Sequence, residues 1–159
     1  MKKALVAYYS VGEAHKVSER LLELFGKNGF ETVKKVIELE KSSQQPKQSC
    51  EEKGLELKSG VKSIADYDVI VIGTPVFSFS PAPAVSLFIK SLPNCEGKKF
   101  VLFSTGIGLS GTTIKKMQSL LSMKGGKVVA SESFSSIFEF DSKKLVEVEK
   151  FFEIFSAKI

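Results

Sequence analysis

A single arginine, Arg20, stands among the 23 basic residues of this 159-residue chain; there is one histidine, His15, and no tryptophan. Each scarcity removes a class of function. Recognition of nucleic-acid bases and phosphates favours guanidinium forks or a clustered basic stripe. Here the lysines are scattered along the chain, so no nucleic acid is expected as a partner despite a net charge of +5. One histidine and two cysteines, Cys50 and Cys95, far apart and outside any C-x-x-C spacing, do not make a zinc or iron–sulfur ligand set. The same two cysteines give no disulfide framework. Long apolar runs are also missing. None, the run at residues 69–73 included, comes near the roughly 20 residues of a membrane helix, and no membrane partner is expected. The opening MKKALVAYYS begins like the charged start of a signal peptide. Its apolar stretch is short, however, and leads into a helical pattern without a small-residue cleavage site. It reads as the first strand of a cytoplasmic protein.

What is present is an apolar content of 43%, ample for a packed core, in a length that suits one domain over residues 1–159. Residues 4–9 (ALVAYY) read as a strand. Residues 13–28 carry Val17, Leu21, Leu22, Leu24 and Phe25 at helical spacing, and Gly29 stops them. Residues 31–37 alternate as an edge strand. Residues 38–63 are polar, a surface excursion with at most a short helix. The run VIVIG at 69–73 is the signature of a central parallel strand covered on both faces. A proline-led helix over 84–91 follows, then a strand over 100–104, a helix over 111–124, a strand over 127–133 and a last helix over 142–157. This alternation predicts an α/β fold in three layers, with a five-stranded parallel sheet in the order 2-1-3-4-5.

In such a sheet ligands bind beyond the carboxyl ends of the strands, where the strand order reverses between strands one and three. Three segments reach that edge. After strand one, Ser10 and Gly12 precede a helix N-terminus, which presents unpaired N–H groups to an anion, and His15 and Lys16 stand nearby as donors. After strand three, Phe77 and Phe79 alternate with Ser78 and Ser80, and aromatic side chains beside a crevice can cover a planar heterocycle. After strand four, Ser104 and Thr105 offer hydroxyls, and the glycines beyond them let backbone approach a flat ring. Gly106, Gly108 and Gly111 also spell G-x-G-x-x-G, the dinucleotide fingerprint. That fingerprint belongs on the first turn of its unit, whereas here only one further strand–helix unit follows, so the match reads as accidental.

Together, Gly73-Thr74-Pro75-Val76-Phe77 and Phe103-Ser104-Thr105-Gly106, each after an apolar strand, resemble the flavodoxin family. The order of elements matches over nearly the whole chain. The stretch from GTPVFSFSPAP onward is similar to the flavodoxin-like domain fused to ferredoxin domains in some anaerobes. The resemblance implies FMN. Its phosphate would lie in the loop Ser10, Val11, Gly12, Glu13, Ala14, His15. Its ring would lie between Thr74, Pro75, Val76, Phe77, Phe79 and Ser80 on one side and Ser104, Thr105, Gly106, Ile107 and Gly108 on the other. Family members usually show a hydroxyl-Gly-Asn-Thr sequence in the phosphate loop, where this chain has Val11, Gly12, Glu13 and Ala14. The function so implied is electron transfer, with a redox protein such as a ferredoxin or reductase as partner and a monomer or homodimer as the assembly. An FMN-dependent NAD(P)H:quinone-type oxidoreductase is the alternative, and a flavin-free binding module on the same scaffold is the third.

Overall fold

The computed structural model of the chain describes residues 1–40, 55–135 and 142–159. Most of the polar excursion expected after the second strand, Cys50 included, lies outside the described residues. The elements follow the chain as β1 (Lys3–Tyr9), α1 (Ala14–Lys27), β2 (Glu31–Ile37), β3 (Val69–Phe77), β4 (Ser80–Pro81), α2 (Pro83–Ser91), β5 (Lys99–Gly106), α3 (Thr113–Ser122), β6 (Lys127–Ser135) and α4 (Ser142–Ser156).

Five strands run parallel in the order β2-β1-β3-β5-β6, which is the expected 2-1-3-4-5 arrangement. One element was not foreseen: β3 does not stop at Gly73. It runs on to Phe77, turns through Ser78 and Phe79, and pairs antiparallel with the short β4. Val76 and Phe77, expected in a loop, are therefore strand residues.

The alternation of side chains in the central strands divides the core in two. Leu5, Ala7, Ile70, Ile72, Phe100 and Leu102 face α2 and α3, whose Val85, Phe88, Met117 and Leu121 cover them. Val6, Tyr8, Val69, Val71, Val101 and Phe103 face α1 and α4. On α1, Val17, Leu21 and Phe25 recur every four residues and are buried, and Gly29 ends the helix with φ of 82°, a conformation that suits glycine. On α4, Val148, Phe151, Phe152 and Phe155 are buried. Phe25, Phe152, Phe155, Phe151, Phe134 and Phe103 form a continuous chain of rings, with successive centroids 4.9–6.3 Å apart and mostly edge to face. The outer strand β2 shows Lys34 and Lys35 to solvent and β6 has a register shift beside Phe100 and Val101, both of which discourage edge-to-edge pairing.

Candidate functional site

Because β1, β3 and β5 are parallel neighbours, their carboxyl ends share one edge of the sheet. Tyr8 lies opposite Gly73, and Pro75 opposite Thr105. β1 and β2 lie to one side of the reversal and β3 to the other, so the crevice opens between β1 and β3.

The turn after β1 is tight, with the Val11 N–H donating to the Tyr9 carbonyl at 2.9 Å and Gly12 at φ of 67°. It delivers the chain into α1 with no side-chain cap on the helix N-terminus among the described residues. The first-turn N–H groups of α1 thus keep the donor capacity that a cap would have used. Ser10, Val11 and Gly12 are exposed and Ala14 is buried. Glu13 folds back, and its Oε2 stands 3.2 Å from Lys16 Nζ, which offsets its charge; the pair lacks hydrogen-bond geometry. His15 turns away from this loop. It shares a hydrogen bond of 3.0 Å with the Tyr8 hydroxyl and helps line a separate cavity with Lys16, Arg20 and Leu145. Burial pushes the Tyr8 phenol above its ordinary pKa, with Lys34 opposing and Glu19 adding to the shift. Burial raises Tyr9 as well.

The turn after β3 is a hairpin whose two central residues, Ser78 and Phe79, have φ of 50° and 63°. Such a turn ordinarily takes Asn-Gly, because a side chain in this region is strained. Tertiary contacts hold it. Thr74, fully buried, accepts a hydrogen bond from the Ala82 N–H at 3.0 Å and donates to the Pro75 carbonyl at 2.7 Å, tying the two legs together. The N-terminus of α3 grips the tip: the Thr112 N–H donates to the Phe79 carbonyl at 3.1 Å, its hydroxyl does so at 3.2 Å, and Lys116 donates to Ser80. Phe77 folds inward, 7% exposed, with its ring edge-on to Tyr9 at 6.3 Å. Phe79 points out, 60% exposed. Of the two rings expected to cover a planar ligand, only Phe79 is free to do so.

The turn after β5 carries Ile107 and Leu109, each 81% exposed. Gly108 has φ of 79°, and Gly111 has φ of 60° with a Cβ position only 2.4 Å from Phe79 Cβ. Turn conformation and the approach of the hairpin therefore account for these glycines. With β6 alone beyond β5, the fingerprint spacing has no second nucleotide-binding half to serve. Ser104 is buried and donates to Ser133 at 3.0 Å, away from the crevice. Thr105 is 2% exposed, and its Oγ1 has no hydrogen-bond partner among the described residues.

Of the residues singled out in the sequence, Ser10, Val11, Gly12, Phe79, Ile107 and Gly108 form an exposed rim. Thr74, Ser80, Ser104 and His15 hold other parts of the structure instead. Leu109 was missed. Its signal was legible, since an apolar residue inside GIGLSG has no helix or strand to bury it. The edge brings together an uncapped helix N-terminus and a set of exposed apolar side chains, with the orphan hydroxyl of Thr105 buried near the end of β5. That combination suits a flat, apolar ligand with an anionic tail.

The family model described as NADPH-dependent FMN reductase matches residues 7–139. No curated protein matches the sequence. Among solved structures, a flavoprotein from Bacteroides uniformis is similar at 19% identity and a TM-score of 0.70, covering 94% of this chain and 98% of that one. Flavodoxin 2 from Bacillus cereus is similar at 15% identity and a TM-score of 0.68, covering 99% of each chain. A flavoprotein in complex with FMN from Lactobacillus acidophilus is similar at 18% identity and a TM-score of 0.63, covering 95% of this chain and 99% of that one. At these identities the likeness is one of fold, and the fold is flavodoxin-like.

Proposed function

The chain belongs to the NADPH-dependent FMN reductase family, and from that premise we propose that it is an FMN-dependent oxidoreductase, taking electrons from a reduced nicotinamide at the β1–β3–β5 rim and passing them to an acceptor. The family match over residues 7–139 is the observation that carries this reading.

The residues at the rim fit FMN. The orphan Thr105 hydroxyl is a buried polar group that lacks a partner, which costs stability unless a ligand supplies one. The uncapped N-terminus of α1 has N–H groups and partial positive charge for a phosphate. The only carboxylate in the loop, that of Glu13, already faces an ammonium group, so it opposes an incoming phosphate less than its position suggests. When bound, FMN supplies the redox chemistry, accepting hydride and releasing electrons.

The chain's own residues would hold and shield. The α1 N–H groups would hold the phosphate, the Thr105 hydroxyl would be available as a donor to the flavin, and Phe79, Ile107 and Leu109 would keep water from it. No side chain is assigned as a general acid or base. The openness of this apolar rim favours a second flat molecule, such as nicotinamide, stacking there.

Electron carriage between proteins is the second reading, favoured by the likeness to a flavodoxin over nearly the whole of both chains. The net charge of +5 would then attract an acidic partner such as a ferredoxin. Steady-state NADPH oxidation with FMN and a quinone separates the two. A reductase turns over at about 1 s⁻¹ or faster. Oxidation no faster than with the same FMN free in solution, by protein that nonetheless holds the flavin, selects the carrier.

A further inference from the structure

The tip of the β3–β4 hairpin is fastened to the start of α3, and we propose that Thr112 and Gly111 are positioning residues that fix the Phe79 ring as a preset wall of the flavin slot. The inference rests on the flavin reading of the rim and adds to it two residues that act through Phe79.

The tip is a strained piece of backbone. Ser78 and Phe79 both lie in the left-handed region, with φ of 50° and 63°, and neither is glycine. A hairpin of this sequence on its own would relax out of that shape. The pairing of Val76 with Pro81 and of Phe77 with Ser80 fixes the legs, and the tip lies beyond them. With the Phe79 ring 60% exposed, side-chain packing offers little to hold it.

The backbone is held from α3 instead. The Phe79 carbonyl accepts from both the N–H of Thr112, at 3.1 Å, and its hydroxyl, at 3.2 Å. Two donors from one residue converge on one oxygen, which sets its direction as well as its distance. One turn further along α3, Lys116 donates to the Ser80 hydroxyl. Gly111 completes the seat. A Cβ there would stand 2.4 Å from Phe79 Cβ and 2.9 Å from its carbonyl oxygen. The left-handed φ of Gly111 would by itself admit asparagine; the close approach of the hairpin does not.

Thr112 shows that this contact answers to something outside its own helix. It stands at the N-cap position of α3, where a threonine ordinarily turns its hydroxyl onto the helix's own N–H groups. It makes no such bond, and its hydroxyl reaches the hairpin. The helix thus goes without a cap while the hairpin gains an anchor. The anchor joins the turn after β3, with Phe79, to the turn after β5, with Ile107 and Leu109, so the exposed apolar side chains of the rim share one framework. A wall in place before the ligand arrives needs no ordering on binding.

The test compares Thr112→Val, Thr112→Ser and Gly111→Ala in the full chain, with folding checked by circular dichroism. Nitrogen-15 relaxation of the residue 78 and 79 amides, without flavin, reads whether the tip is held. Fluorescence quenching of FMN and of riboflavin reads the wall. The parent chain and Thr112→Ser should show tip amides as ordered as those of β3, and Thr112→Val and Gly111→Ala should show them loosened. Thr112→Val should weaken both flavins about threefold and Gly111→Ala about tenfold, with Thr112→Ser close to the parent. In a Phe79→Ala background Thr112→Val should change neither affinity, because the ring it positions is gone. Tip amides unmoved by Thr112→Val overturn the proposal. So does a loss that is the same with and without the Phe79 ring, or one confined to FMN. If Gly111→Ala does not fold, the Thr112 variants and the double variant decide. Tip amides loosened by Thr112→Val in a chain that takes up neither flavin would leave the anchor standing and remove the flavin reading instead.

Discussion

Phe79 combines a strained backbone with an exposed ring. Its φ of 63° is one that non-glycine residues rarely adopt, and its ring is 60% exposed beside the crevice. A residue kept for the fold alone would be glycine. Phe79→Gly should therefore raise stability by about 1 kcal/mol, read by urea unfolding, while weakening FMN binding about tenfold, read by quenching. Equal stability with equal FMN affinity would remove Phe79 from the site. Tyr8 and Tyr9 give a test in alkali. Burial raises both phenols above the usual value of about 10. The unfolded chain then ionises first. The stability these groups contribute is complete below about pH 10 and falls as pH rises through their folded values. Phenolate absorbance should show Tyr8 and Tyr9 ionising late, together with unfolding. Tyr8 and Tyr9 ionising near pH 10 in folded protein would contradict their burial.

At the scale of elements, β3 shows both what the sequence makes legible and what it conceals. Its apolar run VIVIG marks a central strand because both faces are covered. Its continuation to Phe77 is concealed because Thr-Pro reads as a turn. Proline is tolerated there for a local reason: pairing with β1 ends at Gly73, so at Pro75 itself only β5 demands a partner. The hairpin was concealed as well, since Ser-Phe lacks the Asn-Gly signature of its turn. Gly73 has its own role in the strand. A Cβ on it would lie 2.0 Å from Phe103 Cζ, so the glycine is what lets that ring lie across the sheet. Gly73→Ala should cost about 2 kcal/mol or more by overpacking. Gly26→Ala, within α1 and with nothing within 4 Å of its Cβ position, should instead add about 0.5–1 kcal/mol. Urea denaturation of both variants checks the contrast, and equal effects would refute the close packing of Phe103.

At the scale of the whole molecule, strand order alone locates the site: reversal between β1 and β3 gathers three turns on one edge. That much was legible, because alternation of elements and the handedness of crossovers leave few topologies. Which side chains face the crevice was not legible. Phe77 and Phe79 sit two residues apart and have opposite fates, decided by a turn type that pattern alone does not specify. Thr74 and Ser104, polar and well placed in sequence, are consumed by hydrogen bonds within the fold. The proposed function requires that the rim accept a flavin with a phosphate tail. Titration of the purified chain into FMN, with riboflavin in parallel, tests it most directly. Fluorescence should quench at micromolar protein with FMN and about tenfold less tightly with riboflavin, which lacks the phosphate that α1 would hold. No quenching of FMN at tens of micromolar protein, or equal affinity for the two flavins, would contradict it.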